Sequence, residues 1–146
     1  MERRPTTTTP PTPPDAAEVV FTVEQANRSL VLVSRVVGDI AASYARLMEL
    51  RSQRQQMAAE IARAEDLPRL QTDIDATVEQ LSQLHNELAA IGCVLKDWAG
   101  GLVDFPAVHE GRRVWLCWRL GEPSVTHWHE LEGGFAGRHP IGPDFA

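Results

Sequence analysis

Residues 22–64 read TVEQANRSLVLVSRVVGDIAASYARLMELRSQRQQMAAEIARA, and their spacing decides the fold. Apolar side chains recur at heptad intervals: Leu30, Val33, Val37, Ile40, Tyr44 and Leu47. The same two seams run on through Arg51 and Arg54 to Ala58 and Ile61. Gly38 is the one helix-weakening residue in the stretch, which contains no proline. Thr22 can accept from the Gln25 amide while the Gln25 side chain reaches back, so a capping box starts the helix. The pattern predicts one helix over 22–64, roughly 60 Å long at 1.5 Å per residue.

Glu65-Asp66-Leu67-Pro68 breaks the pattern, because proline disfavours a helical residue before it but is tolerated in a first turn. Asp66 is read as the cap of a second helix, which carries Leu67, Leu70, Ile74, Leu81, Leu84, Leu88 and Ile91 on two seams, with Val78 alongside. Gly92 ends it, since glycine enters the left-handed region without penalty. The two helices form an antiparallel hairpin of unequal arms. The unmatched part of the first, residues 23–39, is apolar on more than one face and is expected to pack against the C-terminal module, with Gly38 allowing the approach. A two-helix arm buries only one stripe per helix, so a second copy is expected to complete a four-helix homodimer. Arg51 and Arg54 would pair there with Glu49, Glu60 or the partner chain.

After Gly92 the period changes. Val94–Lys96, Leu102–Val108, Arg113–Leu120 and Val125–Leu131 are short β-rich runs separated by Gly100-Gly101, Glu110-Gly111 and Gly121-Glu122-Pro123. They predict an antiparallel meander. Val114, Leu116 and Trp118 share the strand face turned to the helix; Trp115, Cys117 and Arg119 share the other. The fold class is therefore α+β: a long antiparallel helical hairpin over residues 20–92, with a small antiparallel sheet over 93–146 packed at its base. Residues 1–19, which open MERRPTTTTPPTPP, are expected to be a disordered Pro/Thr-rich tail.

Composition narrows function. The chain has 146 residues and a formal charge of −6, and neither tail, hairpin nor sheet segment is net basic, which speaks against nucleic acid and anionic lipid as partners. No run approaches the ~18 apolar residues of a membrane span. The two arginines near the start precede no apolar segment, so the expected compartment is the cytoplasm, with Cys93 and Cys117 reduced. All four tryptophans, both cysteines, four of five histidines and nine of ten glycines lie from residue 92 onward, and any site must lie there too.

Two constellations stand out. His127-Trp128-His129-Glu130 sets two imidazoles on one strand face, where both can reach one divalent metal such as zinc, iron or manganese. Glu132 is assigned to the same face as a third ligand, and Asp104, His109, Cys117 or His139 could complete the set. The second constellation is Asp104, Arg119, His129, Glu130 and Arg138. As structure, Arg119 pairs with Asp104; as function, the two arginines hold a small anionic ligand while His129 and Glu130 manage a proton, and Gly133-Gly134 and Gly137 let that ligand approach the backbone. Cysteine catalysis is disfavoured: Cys117 is read as a neutral buried thiol between tryptophans, and Cys93 follows a helix C-terminus. His85 is read as exposed or edge-packed on the second helix.

Several of these residues also fall in recurring motifs: Phe21-Thr22-Val23-Glu24-Gln25-Ala26-Asn27, Gly92-Cys93-Val94-Leu95-Lys96-Asp97, Gly101-Leu102-Val103-Asp104-Phe105-Pro106-Ala107, Leu116-Cys117-Trp118-Arg119-Leu120-Gly121-Glu122, Trp128-His129-Glu130 and Gly134-Phe135-Ala136-Gly137-Arg138. In these the chain resembles, over about residues 20–141, the bacterial family catalogued as domain of unknown function 2203. The resemblance implies a helical coil with a small β module and carries no activity; His127 and His139 lie outside its motifs. The functional expectation is a non-enzymatic interaction module that dimerises through the coil and binds a partner or ligand on its C-terminal Trp/His/Arg face. The alternative is a small metal- or anion-dependent enzyme using His127, His129 and nearby carboxylates.

Overall fold

The computed structural model describes residues 18–145. Apart from Glu18 and Val19, the tail expected to be disordered lies outside the described residues. Helix α1 spans Val23–Ala58, 36 residues and about 54 Å long. Its start is the expected capping box: the Gln25 amide donates to Thr22 Oγ1 and the Thr22 amide donates to Gln25 Oε1, both at 3.0 Å. Helix α2 spans Leu67–Ile91, 25 residues, and ends at Gly92 with φ +113°. The two pack antiparallel through Ile40, Leu47 and Leu50 on one side and Leu70, Ile74, Leu81 and Leu88 on the other, all buried.

The tip departs from expectation. The first helix stops at Ala58 instead of running to 64, and Ile61–Asp66 forms a 3₁₀ turn. The helical path breaks at Glu60, whose φ of −120° and ψ of 108° are extended, and resumes as the 3₁₀ turn that leads into α2. Asp66 consequently has helical angles already, φ −83° and ψ −12°, and its side chain caps nothing. Arg54 donates to Gln71 Oε1 across the hairpin at 2.7 Å, so its bonded partner is an amide and not Glu49 or Glu60.

The sheet is a five-stranded antiparallel meander in chain order: β1 Val94–Asp97, β2 Leu102–His109, β3 Arg112–Arg119, β4 His127–His129 and β5 His139–Pro140. The two-residue turn Glu110-Gly111, both with positive φ, sets the β2/β3 register so that Asp104 stands opposite Cys117. One face supplies Val103, Phe105, Ala107, Val114, Leu116 and Trp118 to a single core shared with Ala26, Val33, Val36 and Val37 of α1. The start of the chain fastens this packing. The Phe21 amide donates to Pro106 O at 2.7 Å, and the Phe21 ring meets Phe105 edge-on at 5.1 Å. Arg113 grips both Glu18 oxygens, at 3.0 and 2.9 Å. Asn27 Oδ1 accepts from the Val125 amide at 2.7 Å, tying the entry to β4 onto α1.

Helix α1 is not apolar and buried all round. Val31 is 77% exposed and Leu32 46%, on the side turned away from the sheet. Nor does Gly38 make the close approach, for a Cβ there would meet nothing within 4 Å. Gly101 makes it instead: with φ +72°, an added Cβ would stand 2.7 Å from Leu120 Cβ and 2.9 Å from Val37 Cγ1. The two positions predict opposite signs in thermal unfolding. Gly38→Ala should stabilise by about 0.5–1 kcal/mol, the helix-interior cost of glycine. Gly101→Ala should destabilise by about 1–3 kcal/mol through backbone strain and overpacking.

Candidate functional site

Opposed residues in an antiparallel ladder share a face, as do alternate residues along one strand. The pairs Asp104↔Cys117 and Cys117↔His127, with Trp115↔His129 beside them, therefore set all five side chains on the sheet face away from the helices. Such a face usually meets water, yet Asp104, Cys117 and His129 are buried. Residues 130–138, between β4 and β5, lie against this face: the Gly134 amide reaches His129 Nδ1, Phe135 stands by Arg119, and Arg138 reaches Cys117 O. Gly133 runs so near that an added Cβ would lie 3.3 Å from His129 Cβ. Gly133 thus lies against the protein's own His129, whereas a Cβ at Gly134 or Gly137 would meet nothing within 4 Å.

His129 is held at both ring nitrogens. Nδ1 lies 2.7 Å from Glu130 O and 3.2 Å from the Gly134 amide. Nε2 faces Asp104 Oδ2 at 3.0 Å, and both side chains are only 3% exposed. The other carboxylate oxygen, Oδ1, is buried with no hydrogen-bond partner. Burial raises the Asp104 carboxyl above its ordinary value, though His129 and Lys96 pull against it. Burial and the neighbouring Asp104 push the Cys117 thiol up to about 12, so it is neutral. The donor atoms of Asp104, Cys117 and His129 all lie within 4.8 Å of one another.

This converging group contains neither His127 nor Glu132. His127 Nδ1 is engaged by Thr126 Oγ1 at 2.9 Å. Glu132 is exposed beyond the end of β4, and its parity is opposite to that of His129. The expected Arg119–Asp104 pair does not form either, since the register sets Arg119 opposite Leu102 at the strand end, where it is exposed. His129 takes Asp104 in its place.

The remaining polar residues form a second network at the rim. Arg138 Nη2 donates to Glu122 Oε1 at 2.9 Å and weakly to Cys117 O at 3.4 Å, while the Arg119 amide donates to the same Glu122 oxygen. The Arg138 and Arg119 guanidinium groups lie 4.4 and 5.4 Å from the Phe135 ring centre. Glu130 accepts from or shares a proton with His139 Nε2 at 3.0 Å in the open. His109 stacks on Phe145 at 4.3 Å and meets Trp128 at 4.7 Å. His85, read as edge-packed, is half-buried and stacks on Trp98 at 5.2 Å. Sequence reading missed the stacking role of Phe145 and the Asn27 clamp, for which no local pattern exists.

A helical hairpin, a meander at its base and a buried Asp–Cys–His group beside a glycine-rich strap define a small α+β protein. Residues 19–141 match the family described as "Uncharacterized conserved protein (DUF2203)", and the chain belongs to that family. No curated protein and no solved structure matches it.

The Glu122–Arg138 contact gives a pH test. Burial works to raise the Glu122 carboxyl, but bonds from the Arg138 side chain and the Arg119 amide hold it below the usual carboxylate range. A lowered folded-state value means stability that is complete above the unfolded value of about 4.3 and is lost as pH falls through the folded one. Urea unfolding should show Glu122→Gln weaker than the parent by about 1 kcal/mol at pH 7 for this partly exposed pair. The gap should close in acid below the carboxylate range; a gap unchanged there would point to some cause other than this charge.

Proposed function

We propose that the protein is a non-enzymatic interaction module that forms a homodimer through its helical hairpin. The observation behind this reading is a groove along one side of the two helices. Near the base it encloses about 520 Å³ between Tyr44, Leu47, Val78, Leu81, His85 and Trp98. Past Arg51 it continues toward the tip as a further cavity of about 750 Å³, beside Arg54, Ala58, Leu67 and Pro68. Val78, 42% exposed, stands on its wall. Two helices side by side cannot close such a groove. A second hairpin laid into it gives the four-helix arrangement that buries a stripe from every helix, and a two-fold axis uses the same surface on both copies.

The C-terminal face favours recognition over catalysis. Arg138 is bonded to Glu122 and His129 to Asp104, so both charges are turned inward to protein partners and not outward to solvent. Phe135, 38% exposed between Arg119 and Arg138, would offer a partner an aromatic ring with cations on it. Among the described residues no helix is long and apolar enough to cross a membrane. Both cysteines are free thiols, in keeping with a reducing cytoplasm.

Light scattering of the full chain at tens of micromolar should give twice the chain mass. Val78→Glu, at an exposed position, should keep its helical circular dichroism and weaken association at least tenfold by burying a charge in the interface. A parent protein that is monomeric at high micromolar concentration would remove the four-helix reading.

A further inference from the structure

We infer that Asp104, Cys117 and His129 form a binding site for a divalent transition metal of the zinc type. Thiolate, imidazole and carboxylate together are the donor set that zinc and iron(II) accept, and a hard magnesium or calcium site would not include sulfur. The three donors come from three adjacent strands, β2, β3 and β4, whose register fixes their spacing. In a tetrahedral centre with metal–ligand bonds of about 2.0–2.3 Å, donors stand roughly 3.3–3.8 Å apart. Here they stand within 4.8 Å, so closing on an ion needs movement on the order of 1 Å.

Two independent features point to a ligand. Asp104 is 2% exposed, yet its Oδ1 has no well-formed hydrogen bond and only the weak Cys117 thiol donor beside its carboxylate, and an oxygen left so in the interior is costly unless something binds it. His129 is also oriented as a metal-binding histidine is: Nδ1 against a backbone carbonyl, leaving Nε2 to face the other two donors. On binding, the thiol proton and the proton shared along the Nε2–Oδ2 axis leave to solvent. Asp104 can then supply one oxygen or both, and the burial of all three side chains keeps bulk water away.

The test uses the full chain without a histidine tag, stripped of metal by a chelator and titrated with Co²⁺. One Co²⁺ should bind per chain with a thiolate-to-cobalt charge-transfer band, and Zn²⁺ should bleach it. Cys117→Ser should abolish the band, whereas Cys93→Ser, in the only other cysteine of the sequence, should keep it. Asp104→Asn and His129→Gln should weaken Co²⁺ binding at least tenfold. Should Cys117→Ser fail to fold, thermal unfolding decides: Zn²⁺ should raise the melting temperature of the parent by more than that of Asp104→Asn. The site is overturned if the parent shows no saturable band, if the band survives in Cys117→Ser, or if Zn²⁺ stabilises Asp104→Asn as much as the parent.

Discussion

A helix of 36 residues paired with one of 25 leaves the start of α1 without a helical neighbour, and the rest of the molecule answers that mismatch. The buried stripe of α1 does not end where α2 ends: Ala26, Val33, Val36 and Val37 continue it. Left in water, four such side chains would forfeit several kcal/mol of burial. The meander lies where it covers them, with Val103, Phe105, Leu116 and Trp118 across from the stripe in one core. Glu18, Phe21 and Asn27 then clamp the start of α1 to β3, β2 and the entry to β4.

That packing gives the sheet a dry face and, opposite it, a face that would be wet. The strap over the second face changes its chemistry. An aspartate, a histidine and a thiol that would each be solvated are enclosed together, and their mutual contacts must replace water. Two of the bonds are well made, those at the His129 nitrogens; one acceptor, Asp104 Oδ1, is left over. Buried polar groups are far more sensitive to an unfilled bond than exposed ones. Glu122, through Arg138, and Arg119, through Phe135, tie the strap to the end of β3 and the turn after it.

Local signals were legible in the sequence: the heptads, the Thr22/Gln25 box, the stop at Gly92 and the turns between strands. Each depends on residues a few positions apart. The tip was misread because nothing in Ala59–Ala64 opposes a helix; the reversal before Pro68 is a tertiary demand. Val31 and Leu32 looked buried because apolar type says nothing about which side of a helix meets the sheet. For the site, the members Asp104 and His129 were visible but the pairing was not. A signal did exist: Glu110-Gly111 as a two-residue turn fixes Asp104 opposite Cys117, which already moves Arg119 two residues down the strand. The reach of His129 across Cys117 could not be had that way, since it depends on the strap.

The order of the elements along the chain also has a consequence for synthesis. The hairpin is made first and can zip from its tip as soon as α2 exists. The stripe at Val33, Val36 and Val37 then waits, uncovered, until residues 102–118 have been made. At ribosomal speeds that interval lasts from one to several seconds. During it the nascent chain carries a ready-made greasy helix face and the thiols have not yet been enclosed, so the cell meets this protein first as a sticky arm and only later as a closed one.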